Sequence, residues 1–137
     1  MKKLLLILLL SPLLSKGQKT LPRFENDTLY AKCGYKIYKG QTLYFSNPTG
    51  NGGKFRYVNI KSDIPSSKLA NKSIVVKKMR NYGISVLGNA YIEIIGTMVF
   101  KDGSKGFIDI HMAFDHAIES LAGLPNELIV PAEFQCK

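Results

Sequence analysis

The densest group of side chains that could do chemistry lies in the last third of the chain. It consists of Asp109, His111, Asp115 and His116. If a helix begins near Ile110, His111 and Asp115 lie one turn apart and are able to share a metal ion or a proton. However, no third ligand occurs at a spacing typical of zinc sites, and Asp109 also suits the positive end of a helix dipole. A weak metal site at His111 and Asp115 and a solvated helix face both remain open.

The sequence contains no signature of nucleophilic catalysis, which needs a Ser or Cys beside a base and an orienting group. No serine lies in a Gly-x-Ser-x-Gly motif. Glu93 and Asp109 on neighbouring strands are possible paired carboxylates of a glycosidase, although chance supplies such a pair in most domains of this size. The run from Gly50 to Lys54 lacks the first glycine and the final Ser or Thr of a phosphate-binding loop, and it leads into a strand. We therefore predict no catalytic residue and no cofactor.

Cations alternate with aromatic residues in two predicted strands, around Tyr38 and around Phe55. A third basic segment follows at 77–80. The candidate binding residues are Lys36, Tyr38, Lys39, Lys54, Arg56, Lys77, Lys78 and Arg80. Such a surface suits an acidic glycan, a lipid surface or an acidic protein, although Tyr and Phe in a β-domain are also ordinary core and cross-strand residues. Single-stranded nucleic acid would suit the same pattern, but we do not expect it for an exported protein.

Export is predicted from residues 1–17, which have the organisation of a secretory signal peptide. Two lysines precede an apolar run over 4–10, and small residues suit cleavage between Gly17 and Gln18. Because the run is shorter than the roughly 20 residues that span a bilayer, we expect a cleaved, periplasmic or secreted product that is not membrane-spanning. The alternative is an uncleaved anchor. We expect a mobile leader over 18–26 and a single β-rich domain over 27–137.

Charge is distributed unevenly along the chain, whose formal net charge is +9. Residues 18–80 carry thirteen Lys and Arg against three Asp and Glu, whereas residues 81–137 carry three against seven. The basic half favours an anionic partner, although the composition also fits an ordinary lysine-rich surface. The two cysteines, Cys33 and Cys136, are predicted to form a disulfide in an oxidising compartment. Two free thiols, or a bond from Cys136 to another chain, are the alternatives.

Short β-rich runs separated by turn residues predict the fold. The first predicted strand covers 28–33 and continues after Gly34 over 35–38. The others cover 42–46, 54–61, 73–80, 91–100, 106–112 and 127–130. One apolar helical face runs from Phe114 to Leu121, with Gly123 as its C-terminal cap. We expect a mainly β fold, α+β by strict count. It is a small, strongly curled antiparallel sheet or partly open barrel of five to seven strands with one late helix.

The turn at Asp102-Gly103 joins strands 91–100 and 106–112 into a hairpin. A two-residue loop pairs Ile110 with Ile95, whereas a three-residue loop over 102–104 pairs Ile110 with Gly96. We favour the three-residue loop, with Gly103 left-handed, because it gathers the apolar residues on one face. These residues are Ile92, Ile94, Met98, Phe100, Ile108, Ile110 and Met112. Asp109 and His111 then lie on the opposite face, beside Thr97 and Ile95.

Three segments resemble small exported proteins of unknown function from Gram-negative bacteria. They are Asp27-Thr-Leu-Tyr30, then Gly34-Tyr-Lys-Ile-Tyr-Lys-Gly-Gln-Thr-Leu43, and the late helix followed by Glu127-Leu-Ile-Val-Pro131. The resemblance implies a periplasmic or secreted address and supplies no activity, cofactor or site residue.

Three functional hypotheses follow, and a non-enzymatic role is favoured. The first is an exported binding or accessory module that uses its basic, aromatic β surface for an anionic or protein partner. The second is a small hydrolase or metal-dependent enzyme centred on His111 and Asp115. The third is a structural subunit that assembles through an exposed strand. The oligomeric state stays open.

Overall fold

The computed structural model describes residues 22–62, 64–84, 90–119 and 124–134. These residues form nine strands and two short helices. The strands are β1 (Arg23–Glu25), β2 (Thr28–Tyr30), β3 (Lys36–Tyr38), β4 (Thr42–Phe45), β5 (Val58–Ile60), β6 (Ser73–Ile84), β7 (Ala90–Val99), β8 (Lys105–Ala113) and β9 (Leu128–Ile129). The helices are α1 (Ser66–Leu69) and α2 (Phe114–Ile118), and neither is long and apolar enough to cross a membrane.

Two antiparallel sheets contain all of these strands. Six strands form a curled half-barrel in the order β5-β8-β7-β6-β4-β9, and β1, β2 and β3 form a smaller sheet. The predicted fold class is confirmed, because the chain is mainly β with a curled antiparallel sheet and a helix late in the sequence. The small three-stranded sheet is an addition to that prediction.

Two irregularities in β6 accompany the curl of the large sheet. The register with β7 shifts between Val76 and Lys78, and again between Asn81 and Gly83. Such bulges bend a strand and increase its twist. Before the first shift, β6 also approaches β7 closely, because a Cβ atom on Gly96 would lie 3.0 Å from Ile74 Cδ1 and 3.1 Å from Val75 O. A larger residue at position 96 would therefore crowd the start of β6.

The first strand lies inside the segment that was predicted to be a mobile leader. Arg23–Glu25 pairs with Thr28–Tyr30 across a turn in which Asn26 and Asp27 have φ angles of 48° and 54°. Two consecutive left-handed residues of the Asn and Asp type make the tight hairpin turn that matches strand twist. Residues 23–25 of the predicted leader thus form a paired strand, while residues 18–21 lie outside the described ranges.

The hairpin of β7 and β8 has the predicted loop length but a different register. Phe100 N–H donates to Ser104 O at 2.8 Å, which leaves residues 101–103 as the loop, with Gly103 at φ 81°. The Asp102 carboxylate accepts hydrogen bonds from the backbone N–H and the hydroxyl of Ser104, at 3.0 and 2.6 Å. These bonds fix Ser104 at the start of the returning strand, so the predicted loop over 102–104 was wrong by one residue.

This one-residue displacement moves every cross-strand partner by two residues. His111 pairs with Glu93 instead of Ile95, and Asp109 pairs with Ile95 instead of Thr97. A two-residue change keeps every side chain on its predicted face. Accordingly, the predicted core residues Ile92, Ile94, Met98, Ile108, Ile110 and Met112 are all buried, and Phe100 packs against them.

The core lies between the inner face of the large sheet and the elements that cover it. Buried residues of the small sheet, α1 and α2 complete it, among them Leu29, Ile37, Leu69 and Phe114. Several strand boundaries differ from the prediction. The strand predicted over 54–61 is reduced to β5, the one predicted over 28–33 ends at Tyr30, and the one predicted over 73–80 continues to Ile84. The helix α2 begins at Phe114, where the predicted apolar face begins.

Candidate functional site

Four polar side chains lie side by side across the outer face of the large sheet. Asn59 of β5 pairs with His111 of β8, and His111 pairs in turn with Glu93 of β7. Glu93 then pairs with Arg80 of β6. Directly paired residues project from the same face of a sheet, and this face is opposite the core. We call these four residues the polar row.

Glu93 and His111 are almost fully buried within the polar row, with exposures of 6% and 5%. His111 Nε2 lies 3.2 Å from Glu93 Oε1, and Arg80 Nε lies 3.5 Å from Glu93 Oε2. Because 57% of the Arg80 side chain is exposed, solvent screens its charge and the ion pair contributes little. The Glu93 carboxylate therefore has His111 as its main buried partner.

Two tyrosines cover the imidazole of His111. The centroid of the Tyr82 ring lies 4.8 Å from the centroid of the imidazole. The centroid of the Tyr91 ring lies 6.0 Å from it, and the planes of these two rings meet at 76°. The two tyrosine rings also meet edge to face at 6.2 Å. Such contacts favour one orientation of the imidazole. His111 is thus held by two rings on one side and by a carboxylate on the other.

Asp109 lies two residues before His111 on β8 and therefore projects from the same face. One potential ligand atom each from Glu93, Asp109 and His111 lie within 4.8 Å of one another. Glu93 Oε2 and Asp109 Oδ1 are buried atoms without a hydrogen-bond partner in the described structure. Buried polar atoms normally have such a partner. These three side chains are the group in the described ranges that could hold a metal ion.

An open cleft of about 730 Å³ lies beside the polar row. Its walls come from the segment 52–60, the segment 64–67 around α1, and the outer face of the sheet. Two cations, Lys54 and Arg56, line it together with the aromatic rings of Tyr57 and Tyr91. His111 lines it as well, so the buried imidazole forms part of the cleft wall. The cleft therefore offers positive charge, aromatic surface and polar groups together.

One buried carboxylate holds the loop that forms this wall. Glu127 is 1% exposed, and its Oε1 accepts hydrogen bonds from Thr49 N–H at 3.1 Å, the Thr49 hydroxyl at 2.7 Å and Arg56 N–H at 2.6 Å. Its Oε2 accepts one from Tyr57 N–H at 2.8 Å. Since Arg56 and Tyr57 donate to a carboxylate instead of a neighbouring strand, β5 begins only at Val58. Glu127 thus positions the cationic wall of the cleft.

The predicted pairing of His111 with Asp115 rested on a helix that begins near Ile110. Because α2 begins at Phe114, His111 lies in a strand and the one-turn spacing does not apply. The two residues also have different partners: His111 contacts Glu93, whereas Asp115 Oδ2 accepts a hydrogen bond from Ala90 N–H at 2.5 Å. The described group of potential metal ligands contains His111 with Glu93 and Asp109.

The eight predicted binding residues are all exposed, and they lie on three parts of the surface. Lys36 and Tyr38 are on β3, with Lys39 directly after it. Lys77, Lys78 and Arg80 are on β6, and Lys54 and Arg56 line the cleft. Of the eight, the structure brings Lys54 and Arg56 into the cleft and Arg80 into the polar row.

Cys33 is half-buried and packs against the core after β2. Cys136 lies outside the described residues, so the predicted disulfide between them stays a prediction. The predicted signal peptide over 1–17 lies outside the described residues as well.

Sequence reasoning did not identify Tyr82, Tyr91 and Glu127 as parts of the site. Because residues 81–89 contain two glycines, that segment was predicted to be a loop or an irregular strand entry, whereas β6 continues to Ile84. The β6 sequence does not alternate regularly between polar and apolar residues, so no periodic signal marked this continuation. For Glu127 there was none, since its partners Thr49 and Arg56 lie 78 and 71 residues away in sequence.

Comparisons with protein-family models, curated proteins and solved structures find no match to this chain.

Proposed function

We propose that the protein is an exported, non-enzymatic binding module that holds a short acidic glycan in the cleft beside the polar row. The observation that carries this proposal is the meeting of Lys54 and Arg56 with Tyr57 and Tyr91 in one open cavity. Guanidinium and ammonium groups form strong hydrogen bonds with carboxylates and sulfates. Within the described residues no acidic side chain lines the cleft, so these cations are available to a ligand.

The size and the other groups of the cleft fit one or a few sugar units. Ligand cavities of about 300–1,000 Å³ are typical of small-molecule sites, and this cleft has about 730 Å³. Asn59, Ser66 and Ser67 line it and supply amide and hydroxyl groups for sugar hydroxyls. The wall that carries the two cations is held by four hydrogen bonds to Glu127. A wall fixed before binding reduces the entropy lost on binding.

A secreted or periplasmic location is part of the same proposal. It is supported by the signal-peptide organisation of residues 1–17. A disulfide between Cys33 and Cys136 would be consistent with such a compartment. Acidic glycans are accessible to a protein only outside the cytoplasm in most cells, which is why they suit an exported cationic cleft better than nucleic acid does.

The test is titration of the purified protein with a sulfated heparin oligosaccharide by isothermal calorimetry at low salt. The double variant Lys54→Gln/Arg56→Gln should bind at least about tenfold more weakly, because each charge-assisted hydrogen bond contributes about 1.5–3 kcal/mol. The matched control is Lys36→Gln/Lys39→Gln, which removes the same charge from the β3 region. The control should remain close to the wild type.

If the two double variants lost equal affinity for the oligosaccharide, the cleft would be excluded as the binding site, because the affinity would then depend only on net charge. Absence of binding at low salt would overturn the proposal altogether. Tighter binding of a poly-glutamate peptide than of the oligosaccharide would replace the glycan by an acidic protein partner. Unlabelled neutral dextran serves as the competitor that should have no effect.

A further inference from the structure

We propose that Glu93, Asp109 and His111 form a binding site for a divalent transition-metal ion on the outer face of the large sheet. This site adjoins the cleft but differs from the glycan contacts proposed above, because His111 lines the cleft whereas Glu93 and Asp109 do not. It also replaces the weak candidate pair of His111 and Asp115. The proposal rests on the positions of the three side chains and on two buried oxygens without partners.

The distances fit a metal ion of the size of zinc. Zinc lies about 2.0–2.1 Å from imidazole nitrogen and carboxylate oxygen, so two ligands on one edge of a tetrahedron are about 3.3 Å apart. His111 Nε2 and Glu93 Oε1 are 3.2 Å apart. The three ligand atoms lie within 4.8 Å of one another. A rotation of the Asp109 carboxylate towards the other two completes the three-ligand face.

The strands supply this geometry without any special loop. Glu93 and His111 are directly paired on β7 and β8, and paired side chains have Cβ atoms about 4.5–5.5 Å apart. Asp109 precedes His111 by two residues and so lies on the same face of β8. Three ligands from two rigid neighbouring strands are therefore held close together before a metal ion arrives.

The unpaired oxygens point to a bound cation in this group. Glu93 Oε2 and Asp109 Oδ1 are both buried and lack hydrogen bonds in the described structure. Arg80 Nε lies 3.5 Å from Glu93 Oε2, so it offsets part of one negative charge from a largely exposed position. A proton on His111 Nε2 would satisfy Glu93 Oε1 but would leave Asp109 Oδ1 without a partner. A divalent ion would provide a partner for both buried carboxylates at the same time.

The ligand set indicates the class of metal. Imidazole nitrogen suits zinc, iron and related transition metals, while carboxylate oxygens also suit manganese. Calcium and magnesium take oxygen ligands almost exclusively, and a buried imidazole with 5% exposure would be a poor partner for them. With three protein ligands, at least one coordination position remains for water or for a bound molecule.

The first test is calorimetric titration of the EDTA-treated, dialysed protein with zinc chloride. One ion per chain should bind with a dissociation constant in the micromolar range or below. The variants His111→Gln, Glu93→Gln and Asp109→Asn should each lose at least about tenfold in affinity, since even loss of a residue that only supports a ligand costs about 10–100-fold. His116→Gln, which removes the other histidine of the chain, and Glu25→Gln are the matched controls and should bind as the wild type does.

A second measurement uses the wild-type chain and so does not depend on the folding of any variant. Zinc should shift the imidazole carbon and proton resonances of His111 in NMR spectra, while those of His116 stay in place. Wild-type protein that binds no zinc at millimolar concentration would overturn the proposal. So would a His111→Gln variant, folded by circular dichroism, that binds zinc as tightly as the wild type. Glycan binding is measured in EDTA with the wild-type side chains in place, and zinc binding is measured without glycan, so the two proposals fail separately.

Discussion

Three buried carboxylates in this chain have three different environments. Glu127 has four hydrogen bonds to its two oxygens, and Glu93 contacts His111 and Arg80. Asp115, which is 1% exposed, has one oxygen bound to Ala90 N–H and the other without a partner. Because an unpaired buried charge is costly, the environment of Asp115 favours its neutral form.

Burial is the main cause that raises the pKa of Asp115 above its ordinary value of 3.8. The hydrogen bond from Ala90 N–H and the charges of Lys32 and His116 act in the opposite direction, while the charge of Glu119 adds to the increase. The folded state therefore binds the Asp115 proton more tightly than the unfolded chain does. Below pH 3.8 both states are protonated, and this carboxyl does not oppose folding.

As the pH rises above that value, the unfolded chain ionises Asp115 first, so the wild type loses stability until the folded pKa is passed. We predict that Asp115→Asn removes this loss. The free energy of unfolding of the variant should exceed that of the wild type at neutral pH, and the difference should disappear at low pH. Urea unfolding of both proteins between about pH 3 and 8 measures this difference in the free energy of unfolding. Glu25→Gln, at an exposed site, serves as the control, and a pH-independent difference would contradict the prediction.

At the scale of elements, the cleft depends on a clamp between β9 and a distant loop. The Glu127 side chain directly before β9 binds Thr49, Arg56 and Tyr57, and Ser46 N–H donates to Glu127 O at 2.9 Å. The carboxylate accepts hydrogen bonds from the backbone N–H groups of residues 56 and 57, while the Tyr57 carbonyl accepts a hydrogen bond from Ala113 N–H of β8 at 3.0 Å. The clamp therefore contributes to the fold and to the position of the cations at the same time.

We predict that Glu127→Gln destabilises the protein by about 3 kcal/mol, because the charge is lost and the amide NH2 group replaces one acceptor oxygen, so that it faces a backbone N–H group that is itself a donor. Denaturant unfolding at neutral pH measures this loss. Glu133→Gln removes the same charge from an exposed position and should change the stability by less than about 0.5 kcal/mol. Similar stabilities for the two variants would show that the clamp contributes nothing beyond its charge.

The hairpin of β7 and β8 shows which structural features can be predicted from the sequence and which cannot. The apolar alternation identified both strands and the buried face, because a period of two follows directly from strand geometry. It did not fix the register, since loops over 101–103 and 102–104 bury the same face. The hydrogen bonds from Ser104 to the Asp102 side chain decided between them. Only the observed register places Glu93 opposite His111.

At the scale of the whole molecule, the predicted disulfide between Cys33 and Cys136 would link the two ends of the domain covalently. Cys33 follows β2 of the small sheet and packs against the core. A bond from Cys33 to Cys136 would close a loop of about 100 residues, which corresponds to about 4–5 kcal/mol in the chain-entropy model as an upper figure. Such a link would tie the C-terminal segment to the small sheet.

We predict that the protein isolated from an oxidising compartment contains no titratable thiol. Reduction should lower its free energy of unfolding by up to about 4–5 kcal/mol, as measured by urea unfolding with and without reductant. The variant Cys33→Ser/Cys136→Ser should have the stability of the reduced wild type and should not respond to reductant. Two thiols per chain in the oxidised preparation would contradict the disulfide, and one thiol with a covalent dimer would indicate a bond between chains.

The sequence by itself determined the fold class, the buried face of the hairpin and the late helix, because these follow from the local periodicity of apolar residues. It also assigned Asp109 and His111 to the outer face. Only the tertiary structure decided which side chains meet there. Glu93 and His111 are 18 residues apart, and Glu127 is 71 residues from Arg56. Contacts over such separations depend on register and chain path, which small local interactions such as the Asp102–Ser104 turn determine.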